Sequence, residues 1–399
     1  MEFTIDQNVL KDELGFVQGI VERKATIPVL SNILIESIGE NEIRIVGTDL
    51  DVTVRCDAEA EIKKAGAMCI PAKKLFDIVR ALDPGDVHFK KEDNEWVRMT
   101  CGKANFRLAG ISREQFPEIP SFKSTPLKLP AEVFNHFVQN TAFAITNEQS
   151  RFTLSGAKFI IADGVAKMVT TDGHRLAYIE RAFDNLDGVI DTLVPKKALL
   201  ELTRIARGEG DIAFGEDPNH IYFETEGRLL ITRKLNGNFP NYEMVLPKDN
   251  DKTVTFDLDD MKKSVRRVSL MADDRNRSIR LTVREGEIEL SAQSSEEGEG
   301  RETVPAEYSG EEIQLGFNWQ YLQEFLNNVG AIYAGESVDA ANDAAEGEKE
   351  TDGDKVRVKE GKGPVRISFE FKDANAQTQM RIAGDSQYDY KYIVMPLRI

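Results

Sequence analysis

His88, His136, His174 and His220 are the side chains best suited to ligate a metal or carry a proton in this sequence. None has a second histidine or a cysteine at ligand spacing, which argues against a zinc centre. The chain has no G-x-x-x-x-G-K-[ST] and no G-x-G-x-x-G, the usual phosphate cradles. It also lacks the G-x-S-x-G nucleophile elbow. Asp273-Asp274 and Asp49-Leu50-Asp51 have the composition of magnesium ligands, but in a chain with 68 acidic residues a loop turn and an alternating strand explain them. The densest polar cluster is Thr171-Asp172-Gly173-His174-Arg175-Leu176. Thr171 has no activating base beside it, so nucleophilic chemistry is unsupported. Asp172 and Gly173 are residues that shape a bend, here after a strand ending in Lys167-Met168-Val169-Thr170. An echo at Gly47-Thr48-Asp49-Leu50 gives the Thr-Asp pair a structural role. It leaves Gly173, His174 and Arg175 as the part that has acquired a function.

The elements that carry these residues repeat. Amphipathic helices are expected from about Asp6 to Val21, with Leu10, Leu14, Val17 and Val21 on one face, and behind Pro71, with Leu75, Phe76, Val79 and Leu82. A second pair follows Pro130 (Val133, Phe134, Phe137, Val138) and Pro195 (Leu199, Leu202, Ile205). A third runs from Leu258 (Met261, Val265, Val268) and from behind Asn318 (Leu322, Phe325, Leu326). The second helices start near 72, 196 and 318, a period of roughly 123 residues. Ile70-Pro71-Ala72-Lys73-Lys74-Leu75 echoes Val194-Pro195-Lys196-Lys197-Ala198-Leu199, and FRLAGISREQFPEI echoes LITRKLNGNFPNYE. Between helices the apolar residues alternate, as in SIRLTVREGEIELSAQ, which argues for antiparallel strands with one buried face. The expected fold is α+β: three similar domains over 1–125, 126–249 and 250–399, each with two helices packed on antiparallel sheet.

No run of eighteen apolar residues is present, and MEFTIDQNVL has neither the basic nor the apolar part of a signal peptide. Cys56, Cys69 and Cys101 form an odd set without C-x-x-C spacing, so they read as small core residues of a cytoplasmic protein. The net charge of -17 is partly local: residues 336 to 354 hold eight carboxylates against Lys349 alone. That stretch, within an insertion at about 335–362, is expected to be a solvated, disordered segment. Basic residues instead gather on helices: Lys73, Lys74 and Arg80, then Lys196, Lys197, Arg204 and Arg207, then Lys262, Lys263, Arg266 and Arg267. Their recurrence in an acidic chain points to a phosphate-facing surface. No aromatic residues interleave with them, so duplex backbone contact fits better than single-strand stacking.

The sequence resembles the bacterial beta sliding clamps, the processivity subunit of DNA polymerase III, over its full length. The pieces are Thr26-Ile27-Pro28-Val29-Leu30-Ser31-Asn32, Gly47-Thr48-Asp49-Leu50, Thr171 to Leu176, Phe239-Pro240-Asn241-Tyr242, Leu246-Pro247, Gly316-Phe317-Asn318 and the terminus Tyr392 to Ile399. The resemblance implies a head-to-tail homodimer forming a six-domain ring around duplex DNA without sequence preference, with no catalytic activity and no cofactor or metal. It implies partners that dock short clamp-binding peptides: the clamp loader complex, the replicative polymerase alpha subunit, other polymerases, and repair or initiation-control proteins. It places the protein in the cytoplasm at the nucleoid, away from membranes. Carried over residue by residue, the peptide groove is Leu154, Thr171, Gly173, His174, Arg175, Leu176, Pro240 and Val245 on one side, with His174 and Arg175 at its rim. Val394, Met395, Pro396, Leu397 and Arg398 form the other side. The implied duplex contacts are Arg23, Lys24, Arg151, Lys196, Lys197, Arg275 and Arg277.

Three features depart from the family pattern. The chain ends Pro-Leu-Arg-Ile, where Met and Leu are usual at the second and fourth of these positions, so the groove stays apolar with an altered fit. Lys24 stands where arginine is common, keeping the charge but losing the bidentate fork. The acidic insertion is extra. The competing class is a DNA-modifying enzyme with an unrecognised metal-dependent site, which would show magnesium-dependent product formation.

Overall fold

The computed structural model describes residues 1–21, 27–120, 127–148, 150–206, 210–273, 275, 277–294, 298–334 and 364–398. Arg23, Lys24, Arg207, Asp274, Ile399 and the acidic insertion lie outside the described residues.

One element order recurs three times. The first pass is β1 (Glu2–Asp6), α1 (Gln7–Ile20), β2 (Asn32–Ile38), β3 (Glu42–Thr48), β4 (Val52–Glu59), a short extra β5 (Glu61–Lys64), β6 (Ala67–Pro71), α2 (Ala72–Ala81), β7 (Asp86–Lys91), β8 (Val97–Cys101) and β9 (Ala104–Leu108). The second is β10 (Leu127–Pro130), α3 (Ala131–Thr141), β11 (Gly156–Ala162), β12 (Val165–Thr171), β13 (Arg175–Ala182), β14 (Ile190–Pro195), α4 (Lys196–Ile205), β15 (Asp211–Glu216), β16 (His220–Thr225) and β17 (Arg228–Arg233). The third is β18 (Lys252–Asp257), α5 (Leu258–Ser269), β19 (Ser278–Arg284), β20 (Glu287–Ser294), β21 (Gly298–Glu307), β22 (Ile313–Asn318), α6 (Trp319–Ala334), β23 (Arg366–Phe371), β24 (Thr378–Ile382) and β25 (Asp389–Val394).

The helices start where local chemistry tells them to. Asp6 caps α1 by accepting from the N–H groups of Asn8 (2.8 Å) and Val9 (3.2 Å). Asp257 caps α5 in the same way through Asp259 and Asp260. Pro71 and Pro195 stand at the equivalent place before α2 and α4. The apolar faces are buried as their spacing requires except in α1 and in α2, which ends at Ala81, buries Ile78 and leaves Phe76 and Leu82 half-buried. α1 ends at Ile20 and Val21 is extended, so Ile20 takes the buried position expected for Val21. Cys56 and Cys69 are core residues, and burial pushes the Cys69 thiol up to about 11.

Three sheets carry the strands, ordered β5-β1-β7-β8-β9, then β10-β15-β16-β17-β4-β3-β2-β6, then β14-β11-β12-β13-β25-β24-β23-β18-β21-β20-β19-β22. Each repeat therefore supplies two half-sheets, and neighbouring repeats join edge to edge. β4 pairs antiparallel with β17, Val52 opposite Thr232, and β13 pairs antiparallel with β25, Arg175 opposite Val394.

By compactness the chain divides into two units, Met1–Asn135 with Val194–Leu235, and His136–Leu193 with Asn236–Ile399. The expected middle domain contributes to both, because its two half-sheets are hydrogen-bonded to different neighbours. In the first unit the core includes the stacked rings of Phe3 and Phe89 and a cluster of Phe134, Phe214 and Phe223. In the second, Phe325 stacks on Tyr392 at 4.9 Å and Phe317 meets Phe369 edge-on.

Candidate functional site

The turn between β12 and β13 is built from its own side chains. Thr171 Oγ1 donates to the Arg175 carbonyl (2.5 Å) and accepts from the Gly173 N–H (3.0 Å). Asp172 Oδ1 accepts from the N–H groups of His174 (2.9 Å) and Arg175 (3.1 Å). The echo at Thr48-Asp49 makes the same turn. Thr48 Oγ1 bonds Val52 O and the Leu50 N–H, and Asp49 Oδ1 accepts from Asp51 and Val52. In both turns the third residue has positive φ, +79° at Leu50 and +91° at Gly173. Gly173 has a second reason to be glycine: a Cβ there would stand 2.8 Å from Arg151 Nη1.

Four segments of the second unit meet around this turn. Arg151 lies across it, donating from Nη1 to the Asp172 carbonyl at 2.6 Å. The next residues, Phe152–Leu154, form a 3-10 turn, and Thr153 closes on Gly237, where a Cβ would be 2.6 Å from its methyl. The segment from Phe239 to Leu246 packs Phe239, Tyr242, Val245 and Leu246 onto a buried floor of Val169, Leu176, Tyr178 and Ile393. The C-terminal wall follows from the β13–β25 ladder and continues past it. Met395 N donates to His174 O (3.2 Å), and Leu397 N donates to Gly316 O (2.8 Å).

Of the residues expected to line a groove, His174, Gly173, Pro240, Met395 and Arg398 are exposed, and Val245, Pro396 and Leu397 are half-buried. Leu154, Thr171, Leu176 and Val394 are buried and form its foundation. Arg175 corrects the expectation of a rim residue, since it is only 7% exposed and its guanidinium points into the protein. Sequence reasoning missed Phe152 and Met244, which expose 56% and 79% of their surface within the same segments. An apolar residue interrupting a polar loop was the available signal. Together these segments place exposed apolar side chains, Phe152, Met244 and Met395, around the turn.

The expected phosphate contacts divide differently. Lys196 opens α4 half-buried. Lys197 is not a free cation: its Nζ pairs with Asp49 and donates to the Ile20 carbonyl at the end of α1 (3.3 Å). Arg151, besides its bond to the groove turn, pairs with Glu148 at 3.2 Å. Arg275 and Arg277 are exposed, with Arg277 reaching Gln320 Oε1 at 2.5 Å. A cavity of about 550 Å³ in the first unit is lined by Gln18, Gly19, Ser31, Lys73, Lys74 and Arg204, with Asp77 as the one carboxylate among the described lining residues. Among the described residues no group of three or more His, Cys, Asp or Glu side chains could hold a metal ion. No described helix is long and apolar enough to cross a membrane.

Comparison with known proteins agrees with this architecture. Family models of the DNA polymerase III beta subunit match in order: the N-terminal domain over 1–120, the central domain over 128–241 and the C-terminal domain over 243–332. The beta sliding clamp of Caulobacter vibrioides is 33% identical over 339 residues, covering 82% of this chain and 91% of the relative. That of Pseudomonas putida is 29% identical with both chains fully covered. The solved DNA polymerase III beta subunit of Pseudomonas aeruginosa superposes with a TM-score of 0.86 at 26% identity and full coverage of both chains. A second Pseudomonas aeruginosa structure, also at 0.86 and fully covered with 27% identity, holds griselimycin. The Caulobacter crescentus clamp gives 0.85 at 30% identity, again over the whole of both chains. The chain belongs to the DNA polymerase III beta-subunit family, the beta sliding clamps, non-catalytic rings that encircle duplex DNA and give the replicative polymerase its processivity.

Proposed function

We propose that two copies of this clamp close their ring by pairing β9 of one with β21 of the other, and that partners dock in the groove between the Thr171–Leu176 turn and the C-terminal segment. The observation that carries closure is the repeated joint. The fourth strand of one repeat pairs with the last strand of the next, β4 with β17 and β13 with β25. The series leaves two members over. β9 ends its sheet, and residues 298–305 of β21 have no strand on the side away from β20 among the described residues. Open edges of this kind are a template for another chain. The open stretch of β21 carries Glu299 and Glu302 with Arg301, against Lys103 and Arg107 at β9, although Arg107, Glu299 and Glu302 also hold ion pairs within their own chain. Leu270 is 73% exposed beside Met271, which packs on Gly298 and Gly300 at the start of β21. Such an apolar residue, in the turn after α5 and beside this edge, suits a head-to-tail contact that a twofold axis repeats.

The duplex passes through the ring against the cations that the family resemblance implies, Arg23, Lys24, Arg151, Lys196, Lys197, Arg275 and Arg277. Contacts of this kind are blind to sequence and let the ring slide. The clamp loader, the polymerase alpha subunit, other polymerases and repair or initiation-control proteins use the groove in turn, in the cytoplasm at the nucleoid. Griselimycin, bound by the Pseudomonas aeruginosa clamp, is proposed to occupy the same groove here. Sedimentation of the wild type should give a dimer of about 89 kDa, twice the 44.7 kDa of one chain. Leu270→Asp should give monomer that a clamp loader cannot leave on circular DNA. A monomeric wild type, or a Leu270→Asp dimer retained on circles, overturns the proposal.

A further inference from the structure

We infer that Arg175 positions the groove instead of touching what binds in it: its guanidinium ties the turn wall to the C-terminal wall. The inference rests on the groove being the partner site. Nε donates to Asp172 Oδ2 at 3.0 Å, in the carboxylate whose other oxygen shapes the turn. Nη2 donates to the Phe143 carbonyl at 2.9 Å. Nη1 donates to the Tyr392 hydroxyl at 3.3 Å and to Glu324 on α6. Tyr392 passes the bond on, donating to the Tyr321 carbonyl at 3.0 Å. The guanidinium also lies over the rings of Tyr321 (4.6 Å) and Phe143 (5.6 Å).

A guanidinium has five N–H donors, and four are occupied. Its faces are covered by aromatic rings, which add cation–π attraction. Burial alone would loosen its proton, but Tyr392, Glu324 and Asp172 more than offset that, so the charge is permanent. The fifth N–H belongs to the same enclosed group, 7% exposed and under the rings of Tyr321 and Phe143, so it does not face the groove. What the arginine does hold is Asp172 on one wall and Tyr392 on the other, three residues before Met395. Directly between the walls at the mouth, the bond from Met395 N to His174 O is the backbone link. Without the arginine the Asp172 side chain loses its anchor and the two walls lose their shared partner. Lysine keeps the charge but cannot fork to three directions.

The test uses the full-length dimer, with griselimycin as the ligand probe and amide hydrogen exchange as a readout that needs no ligand. Arg175→Lys should weaken griselimycin roughly tenfold, as loss of a charged, buried hydrogen-bond set does. Tyr392→Phe, whose hydroxyl is buried away from the mouth, should also weaken it. The double variant should be no weaker than Arg175→Lys alone, because both changes break one tie. Exchange in both variants should quicken at 172–176 and 394–397 and stay unchanged in the β15–β17 strands. If Tyr392→Phe binds as the wild type does while Arg175→Lys does not, the arginine meets the ligand and the inference falls. It falls equally if exchange at the two walls is unchanged, or rises throughout the protein. A wild type that ignores griselimycin would remove the groove reading instead, and the exchange data would still decide the role of Arg175.

Discussion

Leu50 and Gly173 occupy the same place in two copies of one turn, and the backbone there suits only the glycine. Left-handed backbone costs a side-chain-bearing residue about 1–2 kcal/mol. The first turn tolerates that strain at Leu50, φ +79°. The second turn has less room, because the Arg151 guanidinium lies over Gly173. Gly173→Ala should therefore lower stability by about 1–2 kcal/mol, read as a fall in the denaturant midpoint of the full-length protein. Pairing it with Arg151→Ala should recover the contact but not the backbone strain, so part of the loss should persist. Full recovery would show that crowding alone made glycine necessary. The same closeness gives Arg151, basic and loop-borne, a structural task beside the phosphate contact proposed for it. Its charge serves the groove turn and Glu148.

Among elements, the β15–β16 hairpin shows how a single carboxylate governs a strand connection. Asp217 Oδ1 accepts from the N–H groups of Asn219 and His220, both at 2.7 Å, and Oδ2 accepts from the Tyr222 hydroxyl at 2.6 Å. Burial pushes its pKa up, but these hydrogen bonds pull it down further, to about 2 against an ordinary 3.8. A depressed carboxylate stabilises the fold above its unfolded pKa and loses that contribution as pH falls through the folded one. Protection of the β15–β16 amides should thus be flat above about pH 4 and decline between about 4 and 2. Asp217→Asn should remove that step while lowering protection at neutral pH. A step unchanged in Asp217→Asn would assign it to another group. The joints between half-sheets follow a different logic. A ladder is specified by which edges are free, and periodicity two is the same for an edge and a centre strand.

Across the whole molecule the acidic total and the basic function coexist because phosphate answers to the local field. Lys197 is spent on Asp49 and α1, so reversing it would break an internal tie as well as a surface charge. Arg275 and Arg277, both exposed, are the better probes. Changing both to glutamate should flatten the salt dependence of duplex binding, measured by anisotropy, by about one in logarithmic slope per lost contact. Griselimycin binding should stay as it is in the wild type. Loss of both together would place these residues and the groove in one site and contradict the proposed separation.

The sequence by itself determined the threefold element order, all six helices, from about Asp6, from Leu258 and behind Pro71, Pro130, Pro195 and Asn318, and the family. These are local or repeated properties: a cap, a proline or an apolar stripe acts within a few residues, and repetition multiplies the signal. It also brought the Thr-Asp echo into view as a shared turn. Only the tertiary structure decided which charges are spent. Arg175, Lys197 and Arg151 look alike as cations in a string. Their partners Glu324 and Tyr392, Asp49, and the Asp172 carbonyl are 149 and 217, 148 and 21 residues away in the chain. Tertiary packing alone sets such distant pairings, and with them whether a charge faces a phosphate, a peptide or the interior of its own fold.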